Sequence, residues 1–299
     1  MIDFRQLIDV GLHFGHQKSR WCPKMQPYIW GHRGGVHLID ISKTAYALQK
    51  TATFLESVVA RGETILWVGT KKTAKDTIAI VGQATNMPYV NYRWVGGTIT
   101  NYHQVKKAVT KLLHFEDVIA RSTKENSPYT KKEVVRFQKL AERLHRSVGG
   151  LKALTQNIGA IVLIDVRKEQ TALLESISSG VPVVALVDTN SDPSNVQYVI
   201  PGNDDSAKGI AFVLEYLQEA VKKGIAKKAE LSKNAKVAID AQRAAHKDAQ
   251  AEVPKSFEAK KAELRDIIID TSDESDEEVS SKKGAAKPAF KRPVNRKGA

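Results

Sequence analysis

The stretch AIVLIDVRKEQTALLESISSGVPVVALV, residues 160–187, indicates the fold class. It contains two short apolar runs, Ala160–Asp165 and Pro182–Val187, separated by an amphipathic stretch, Lys168–Ser178, that ends before Gly180. Unbroken β-branched runs of this length are typical of strands that are buried on both faces, and glycine commonly follows the last turn of a helix. The stretch therefore predicts two parallel strands joined by a helix.

The same alternation extends outward from this unit. The further predicted strands are Val36–Ile41, Thr64–Val68 and Pro88–Asn91. The further predicted helices are Lys43–Val59 with Ser42 as its N-cap, Lys71–Ala84, and Ser206–Lys222 preceded by Asp204 and Asp205. Alternating strands and helices predict an α/β domain of three layers, in which helices cover both faces of a mainly parallel sheet.

Residues 101–148 interrupt this alternation with two long helical patterns, separated by the turn-rich link STKENSPYT at 122–130. Apolar residues step by three and four along both patterns. They are Val105, Ala108, Leu112, Phe115 and Ile119 on the first, and Val134, Phe137, Ala141, Leu144 and Val148 on the second. Two matching stripes predict an inserted antiparallel helical hairpin of coiled-coil type, with arms of about 19 residues that would each reach about 28 Å.

The composition changes beyond residue 223. Residues 224–299 are first rich in alanine and lysine and then contain blocks of charge such as SDESDEE. This composition predicts marginal helix followed by disorder. The predicted organisation is therefore an α/β domain formed by 1–100 and 149–223, the inserted hairpin 101–148, and a charged, largely disordered tail 224–299.

The net charge of the 299 residues is +13, and it is unevenly distributed. Residues 101–152 carry 12 basic and 5 acidic residues, whereas residues 153–221 carry 3 basic and 9 acidic residues. Such polarity predicts that one side of the protein lies on a polyanion, for which nucleic acid and an anionic membrane are the candidates. A generally soluble surface is the simpler alternative.

Other features of the sequence exclude several classes of protein. The single cysteine, Cys22, excludes a disulfide framework within the chain and a multi-cysteine zinc site. No run approaches the roughly 18 to 20 apolar residues that span a bilayer, and the opening MIDFRQ lacks the apolar stretch of a signal peptide. We therefore expect a chain that is neither secreted nor inserted in a membrane.

Basic residues form a stripe on the second predicted arm. They step by four and three and lie about 200° from the apolar stripe. The members are Lys132, Arg136, Lys139, Arg143 and Arg146. The flank of a solvated coiled coil usually mixes the two signs of charge, but this arm contains only two acids, Glu133 and Glu142. The stripe therefore favours contact with nucleic-acid phosphates, with a solvated flank as the alternative.

Residues 11–37, GLHFGHQKSRWCPKMQPYIWGHRGGVH, combine glycines, aromatic rings and cations in one predicted loop. Glycine allows the backbone to approach a sugar-phosphate chain, cations contact phosphates, and aromatic rings can stack on unpaired bases. The RNA-binding candidates here are His16, Lys18, Arg20, Lys24 and Arg33. A metal cluster of His13, His16, His32 and His37 is an alternative, but no carboxylate in the stretch and no HxxxH spacing support it. Phe14 and Trp30 could also cap the core.

Two further basic groups are candidates for phosphate contact. Lys71 and Lys72 follow the predicted strand TILWV, where the sequence GTKKTAK lacks the first glycine of a phosphate-binding loop. Arg93, Lys106 and Lys107 lie in NYRWVGGTITNYHQVKK, where the double glycine allows a tight turn before the first arm. These five cations could each hold a backbone phosphate.

An α/β enzyme that binds a phosphorylated ligand at the strand ends is the alternative function. The loops DTNSDP (188–193) and GNDD (202–205) hold four carboxylates that could bind a metal or transfer protons. Their spacing fits turns and helix caps better, so we predict no catalytic residue, no metal and no cofactor. A third hypothesis is a membrane-surface or scaffold protein that uses the basic tail.

Several motifs, in this order, resemble one known family. They are GLHFGHQ, W-x-P-K-M (Trp21–Met25), VGTK (68–71), RW-x-GG-x-x-TN (Arg93–Asn101), VPVVALVDTNSDP (181–193) and IPGNDD (200–205). From about residue 3 to residue 222, the chain resembles ribosomal protein two of the small subunit, of bacterial or organellar type. The combination is specific even though each motif alone is not.

The resemblance implies a flavodoxin-like α/β domain with an inserted helical hairpin and no catalytic activity. It implies a structural constituent of the small ribosomal subunit that binds ribosomal RNA between head and body, together with other ribosomal proteins of the subunit. One implied partner is the large messenger-binding ribosomal protein numbered one. The family's RNA-contacting positions fall on the N-terminal loop and the hairpin. We expect a ribosome-bound protein of the cytoplasm, with an organellar ribosome as the alternative.

Overall fold

A computed structural model describes residues 2–122, 129–231 and 233. Its helices are α1 (Phe4–Asp9), α2 (Ile41–Ala60), α3 (Lys75–Thr85), α4 (Tyr102–Ser122), α5 (Lys131–Val148), α6 (Gln170–Ser178) and α7 (207–231). Its strands are β1 (Phe14–Gln17), β2 (Ile29–Arg33), β3 (Val36–Ile39), β4 (Thr64–Val68), β5 (Tyr89–Val90), β6 (Ile158–Ile164), β7 (Val183–Val187) and β8 (Tyr198–Pro201). Short 3₁₀ helices occupy Lys18–Arg20, Pro23–Tyr28 and Gly149–Leu151.

The larger sheet within these described residues is parallel and has the strand order β5-β4-β6-β7-β8. Successive side chains of a strand point to opposite faces, so Ile65 and Trp67 of β4 pack with α1, α2, α3 and α7, whereas Leu66 and Val68 pack with α4, α5 and α6. Every residue of β7 is buried because helices cover both faces. The prediction of a mainly parallel α/β sheet with flanking helices is confirmed.

The strand predicted at Val36–Ile41 belongs to a different, smaller sheet. β3 lies between β1 and β2 and pairs antiparallel with both. Its residues alternate between half-buried and buried, so the prediction that it is a strand of the parallel sheet, buried on both faces, was wrong. The cause lies in residues 11–37, which we predicted as a loop but which supply two strands that pair with β3.

Several helices begin at other residues than the sequence predicts. The carboxylate of Asp40 accepts a hydrogen bond from the amide of Ser42 at 3.0 Å, so α2 begins at Ile41 and its N-cap is Asp40, not Ser42. Lys71 lies in a turn, where the Ala74 amide donates to its carbonyl, and α3 begins four residues later than predicted. We also did not predict α1 and β8, which are short elements of six and four residues.

Helices α4 and α5 pack together along their apolar sides. The rings of Phe115 and Phe137 stack with centroids 5.6 Å apart. The start of α5 is fixed by a capping box, in which the Thr130 hydroxyl accepts from the Glu133 amide and the Glu133 carboxylate accepts from the Thr130 amide. Most of the predicted link 122–130 lies outside the described residues.

Helix α7 continues past residue 223, the predicted end of the α/β domain, as far as residue 231. Lys227 of this part pairs with Glu56 of α2. The rest of the predicted tail lies outside the described residues, apart from residue 233. None of the helices in the described ranges is long and apolar enough to cross a bilayer.

Candidate nucleic-acid interface and acidic cluster

The basic stripe of α5 faces solvent. Lys132, Arg136, Lys139, Arg143 and Arg146 are all exposed, while Ala141 and Val148 on the opposite side are buried. From Lys132 to Arg146 the stripe runs for about 21 Å at the helical rise of 1.5 Å per residue. Glu133 lies beside it, but its carboxylate is bonded to Thr130 in the capping box. The stripe therefore presents a row of cations on one side of the helix.

The N-terminal segment is held against the loop that follows β7. The amide of His16 donates to the Thr189 hydroxyl at 2.8 Å, and the amide of Cys22 donates to the Thr189 carbonyl at 2.7 Å. Glycine is required at position 15, because a Cβ there would lie 2.6 Å from the Thr189 side chain. These contacts fix both ends of the segment 16–22, which carries the candidate cations Lys18 and Arg20.

The predicted RNA-binding residues fall into two groups in the structure. The exposed ones are Lys18, Arg20, Lys24, Arg33, Lys72, Arg93, Lys106, Lys107 and the five residues of the α5 stripe. Among them, Lys24 forms an ion pair with Asp192 at 2.7 Å. The partly buried ones are His16 and Lys71, and both are bonded to carboxylates of the same chain. The exposed group is the one that is available to a polyanion.

The carboxyl ends of β6, β7 and β8 bring an acidic cluster together, because parallel strands end at the same edge of a sheet. The cluster consists of Asp165, Asp188, Asp204, Asp205, His16 and Lys71. Lys71 Nζ lies 2.7 Å from Asp204 Oδ1, 2.6 Å from Asp205 Oδ1 and 3.7 Å from Asp165 Oδ2. His16 Nδ1 lies 3.0 Å from Asp188 Oδ2, and its Nε2 lies 3.4 Å from Asp205 Oδ2.

Burial and charge shift the pKa values in this cluster. Asp204 is fully buried, and this burial together with the nearby charge of Asp188 raises the pKa of its carboxyl to about 7. The hydrogen bond to Asp188 raises the pKa of His16, although partial burial opposes the shift. The hydrogen bond from Lys71 lowers the pKa of Asp205. His16 and Lys71 therefore bond to all four carboxylates of the cluster but do not balance their charge.

The same cluster is where a metal ion could be held in the described part of the chain. One ligand atom from each of His16, Asp188 and Asp204 lies within 4.8 Å of the others. Asp204 Oδ2 is buried without a hydrogen-bond partner. An imidazole nitrogen and two carboxylate oxygens are ligands that Zn²⁺ accepts. The four histidines considered from the sequence do not form this group: only His16 belongs to it.

Of the histidines outside the acidic cluster, His37 is buried beside other rings. It packs beside Trp21 and His32, with ring centroids 5.2 and 6.5 Å away. Neither of its ring nitrogens has a hydrogen-bond partner, and burial lowers its pKa. It is a buried ring with aromatic neighbours and does not belong to the candidate metal group.

A second constellation lies at the carboxyl ends of β4 and β5. Lys75 Nζ lies 4.8 Å from the centroid of the exposed ring of Tyr92. Lys72 and Arg93, the neighbouring cations in the sequence, are also exposed. We did not single out Lys75 and Tyr92 from the sequence, because one lysine at a helix start and one tyrosine in a loop give no periodic signal.

Comparisons with known proteins agree with these observations. The family model for Ribosomal protein S2 matches residues 7–224. The chain belongs to the ribosomal protein S2 family. It is also 40% identical over 223 residues to "Small ribosomal subunit protein uS2" of Geotalea uraniireducens (strain Rf4), an alignment that covers 75% of this chain and 86% of that relative. The resemblance stated from the sequence motifs is thus confirmed.

The region that matches the ribosomal protein S2 family includes every residue of the two constellations described above. It contains the acidic cluster, the β4 and β5 strand ends, and the α5 stripe. It stops at residue 224, seven residues before the described end of α7. Members of the family are structural, non-enzymatic components, so the alternative of a phosphate-binding α/β enzyme is set aside.

Proposed function

We propose that this protein is a structural constituent of the small ribosomal subunit, where it binds ribosomal RNA and supports assembly and translation. The observation that carries the proposal is membership of the ribosomal protein S2 family across residues 7–224. The geometry adds the exposed α5 stripe, a row of cations of the kind that tracks phosphates. Binding through phosphates and shape needs no chemical transformation.

The proposed contact surface consists of exposed cations from separate parts of the chain. On α5 these are Lys132, Arg136, Lys139, Arg143 and Arg146, and elsewhere they are Lys18, Arg20, Lys24, Arg33, Lys72, Arg93, Lys106 and Lys107. His16 and Lys71 were also predicted from the sequence as RNA contacts. Both are bonded to aspartates, so in this proposal they stabilise the contact surface and do not contact RNA themselves. These two bases offset part of the negative charge of the four aspartates, and the raised pKa of Asp204, about 7, reduces the remaining charge near neutral pH.

The proposed partners follow from the same assignment. They are small-subunit ribosomal RNA and other proteins of the subunit, including the large messenger-binding protein numbered one. We place the protein on the ribosome of the cytoplasm, with an organellar ribosome as the alternative. A membrane partner is not part of the proposal.

We also propose a finer description of the architecture. Counting along the chain within the parallel sheet, the order β5-β4-β6-β7-β8 is 2-1-3-4-5, the order of flavodoxin-like sheets. The packing of Phe115 on Phe137 supports an antiparallel hairpin formed by α4 and α5 and inserted between β5 and β6. The corresponding domain division is 1–100 with 149–223, then 101–148, and finally 224–299.

The test is a charge reversal on the α5 stripe. We expect the quadruple variant K132E/R136E/K139E/R143E to be incorporated poorly into small subunits, because attraction to four phosphates is replaced by repulsion. For isolated ribosomal RNA, the dependence of log affinity on log salt should become less steep by about 0.7 to 0.9 for each phosphate that the variant no longer neutralises. The measurements are sedimentation of tagged protein with subunits and filter binding at several salt concentrations.

The matched control changes the total charge equally at exposed lysines outside the proposed surface, in the variant K50E/K208E/K222E/K223E. It should retain most of the incorporation. If the stripe variant were incorporated as well as the wild type, α5 would not lie on the RNA. If the two variants were incorporated equally poorly, the effect would come from net charge and not from this surface.

A further inference from the structure

The loops that follow β4 and β5 leave the sheet side by side. Val68 and Val90 are register partners in the parallel ladder, and the amide of Gly69 donates to the Val90 carbonyl at 3.0 Å. Residues 70–75 and 91–97 therefore begin next to each other at the carboxyl edge of the sheet. Side chains that are distant in the sequence, such as Lys75 and Tyr92, meet there.

These two loops present one aromatic ring among cations, a surface that we name the β4–β5 platform and define as Lys72, Lys75, Tyr92 and Arg93. The side chain of Tyr92 is 52% exposed although Lys75 lies against its ring. Residues 69–97 contain one acid, Asp76, beside these cations and Lys71. Lys71 is bonded to the acidic cluster, whereas Lys72 and Arg93 are exposed and Lys75 is half-buried against the Tyr92 ring.

Two carboxylates hold the platform loops in place. Glu169 is buried, and its Oε1 accepts hydrogen bonds from the amide and the hydroxyl of Thr70. Glu175 Oε1 accepts from Trp94 Nε1 at 3.0 Å and from the Gly97 amide at 2.7 Å, while its Oε2 accepts from the Ile99 amide at 3.2 Å. The backbone on either side of the platform is thus ordered before any ligand arrives, which lowers the entropy lost on binding.

We propose that the β4–β5 platform binds a single-stranded segment of small-subunit ribosomal RNA, with one unpaired base stacked on Tyr92. Lys72, Lys75 and Arg93 contact the phosphates that flank this base. An exposed ring beside several cations fits such a segment because every base has a π-face and its backbone carries negative charge. The inference rests on the proposed function and adds to it a base contact, whereas the α5 stripe supplies phosphate contacts.

The test uses the full-length chain and a protein-free transcript of small-subunit ribosomal RNA, with affinity measured by filter binding at several salt concentrations. We expect Tyr92→Leu to weaken binding about tenfold, because removing one base–aromatic stack has an effect of this size. The salt dependence should stay unchanged, since no charge is removed. Tyr92→Phe keeps the π-face and should bind like the wild type.

Two further variants separate stacking from general effects. Tyr46 is 70% exposed on α2, outside the platform, and Tyr46→Leu should leave the affinity unchanged. Arg93→Gln should weaken binding and make the salt dependence less steep by about 0.7, the value for one phosphate of a single strand. Thermal unfolding of each variant checks that the fold is retained.

The outcomes distinguish this inference from the proposed function. If Tyr92→Leu binds like the wild type while the α5 charge reversal abolishes binding, the platform inference is wrong and the proposed function stands. If both variants bind like the wild type, neither the platform nor the α5 stripe contacts the RNA, and if the wild type itself does not bind the transcript, the proposed function is contradicted. If Tyr92→Phe binds as weakly as Tyr92→Leu, the hydroxyl group and not the ring makes the contact, and the stacking inference is overturned.

Discussion

The carboxyl edge of the parallel sheet has two halves with opposite electrostatics. At the ends of β7 and β8, Asp188 and Asp204 are buried and bonded to His16 and Lys71. At the ends of β4 and β5, Lys72 and Arg93 of the β4–β5 platform are exposed and Lys75 is half-buried. The acidic half is bonded to bases of the same molecule, whereas two cations of the basic half have no such burial. Charge counted by sequence segment therefore differs from the charge that a partner meets, since His16 and Lys71 from the first quarter of the chain offset part of the charge of the acidic segment.

The largest expected effect on stability comes from replacing Lys71, the cation that pairs with three aspartates of the acidic cluster. Lys71→Met should lower the free energy of unfolding by about 2 to 3 kcal/mol, because it leaves buried Asp204 without its ion-pair partner. The 18% exposure of the Lys71 side chain places the effect at or below the lower end of the range for buried pairs. Urea unfolding at neutral pH measures the change.

Lys72→Met is the matched control for this comparison. Lys72 is exposed, so its replacement should change the free energy of unfolding by less than about 0.5 kcal/mol while weakening RNA binding. Equal losses of stability in the two variants would contradict the division of the edge into a bonded acidic half and a basic half with exposed cations.

A smaller loss of stability is expected from replacing Glu175, the carboxylate that bonds to the loop after β5. Glu175→Ala leaves the Trp94 indole, the Gly97 amide and the Ile99 amide without their acceptor and should cost about 1 to 2 kcal/mol. Glu175→Gln retains an acceptor oxygen and should cost less. Urea unfolding and hydrogen exchange at Gly97 and Ile99 check this, with Glu215→Ala on the exposed face of α7 as control. Unchanged exchange at both amides would show that Glu175 does not order the loop.

The smallest effect concerns the pH dependence at Glu169. Burial raises the pKa of this carboxyl above the ordinary value of 4.5, so the folded protein holds its proton more tightly than the unfolded chain does. Its contribution to stability is fully present below the unfolded pKa and is lost as pH rises through the folded pKa. Glu169→Gln does not titrate, so its stability relative to the wild type should increase as pH rises above 4.5. Urea unfolding of both proteins across this range measures the difference, and a difference that is independent of pH would contradict the expectation.

The sequence predicted those parts of the molecule in which the signal is local. The apolar runs at Thr64–Val68 and Pro182–Val187 predicted strands of the parallel sheet, because burial on both faces requires every residue to be apolar. The steps of three and four along α5 placed its cations opposite its apolar side, and all five are exposed. That they contact RNA stays a prediction.

The parts that the sequence did not predict depend on contacts between distant residues. His16 and Asp188 meet although 172 positions separate them, and no spacing rule links them. The sequence also did not predict the small sheet to which Val36–Ile39 belongs. The two strands that pair with Val36–Ile39 come from a glycine-rich and aromatic stretch with little strand signal. Likewise, the pairing of Lys75 with Tyr92 depends on the register of β4 and β5.

The attachment of the N-terminal segment has a consequence for the order of events during synthesis. His16 and Cys22 are bonded to Thr189, and the carbonyls of Val10 and Leu12 accept hydrogen bonds from Ser206 and Asn203. The ribosome makes residues 10–22 early, whereas it adds Thr189, Asn203 and Ser206 only after about two hundred peptide bonds. A nascent chain therefore carries its amino end unfixed until nearly the whole domain has emerged. Truncated chains, which lack the later groups, are therefore made without the contacts that hold the amino-terminal segment in place.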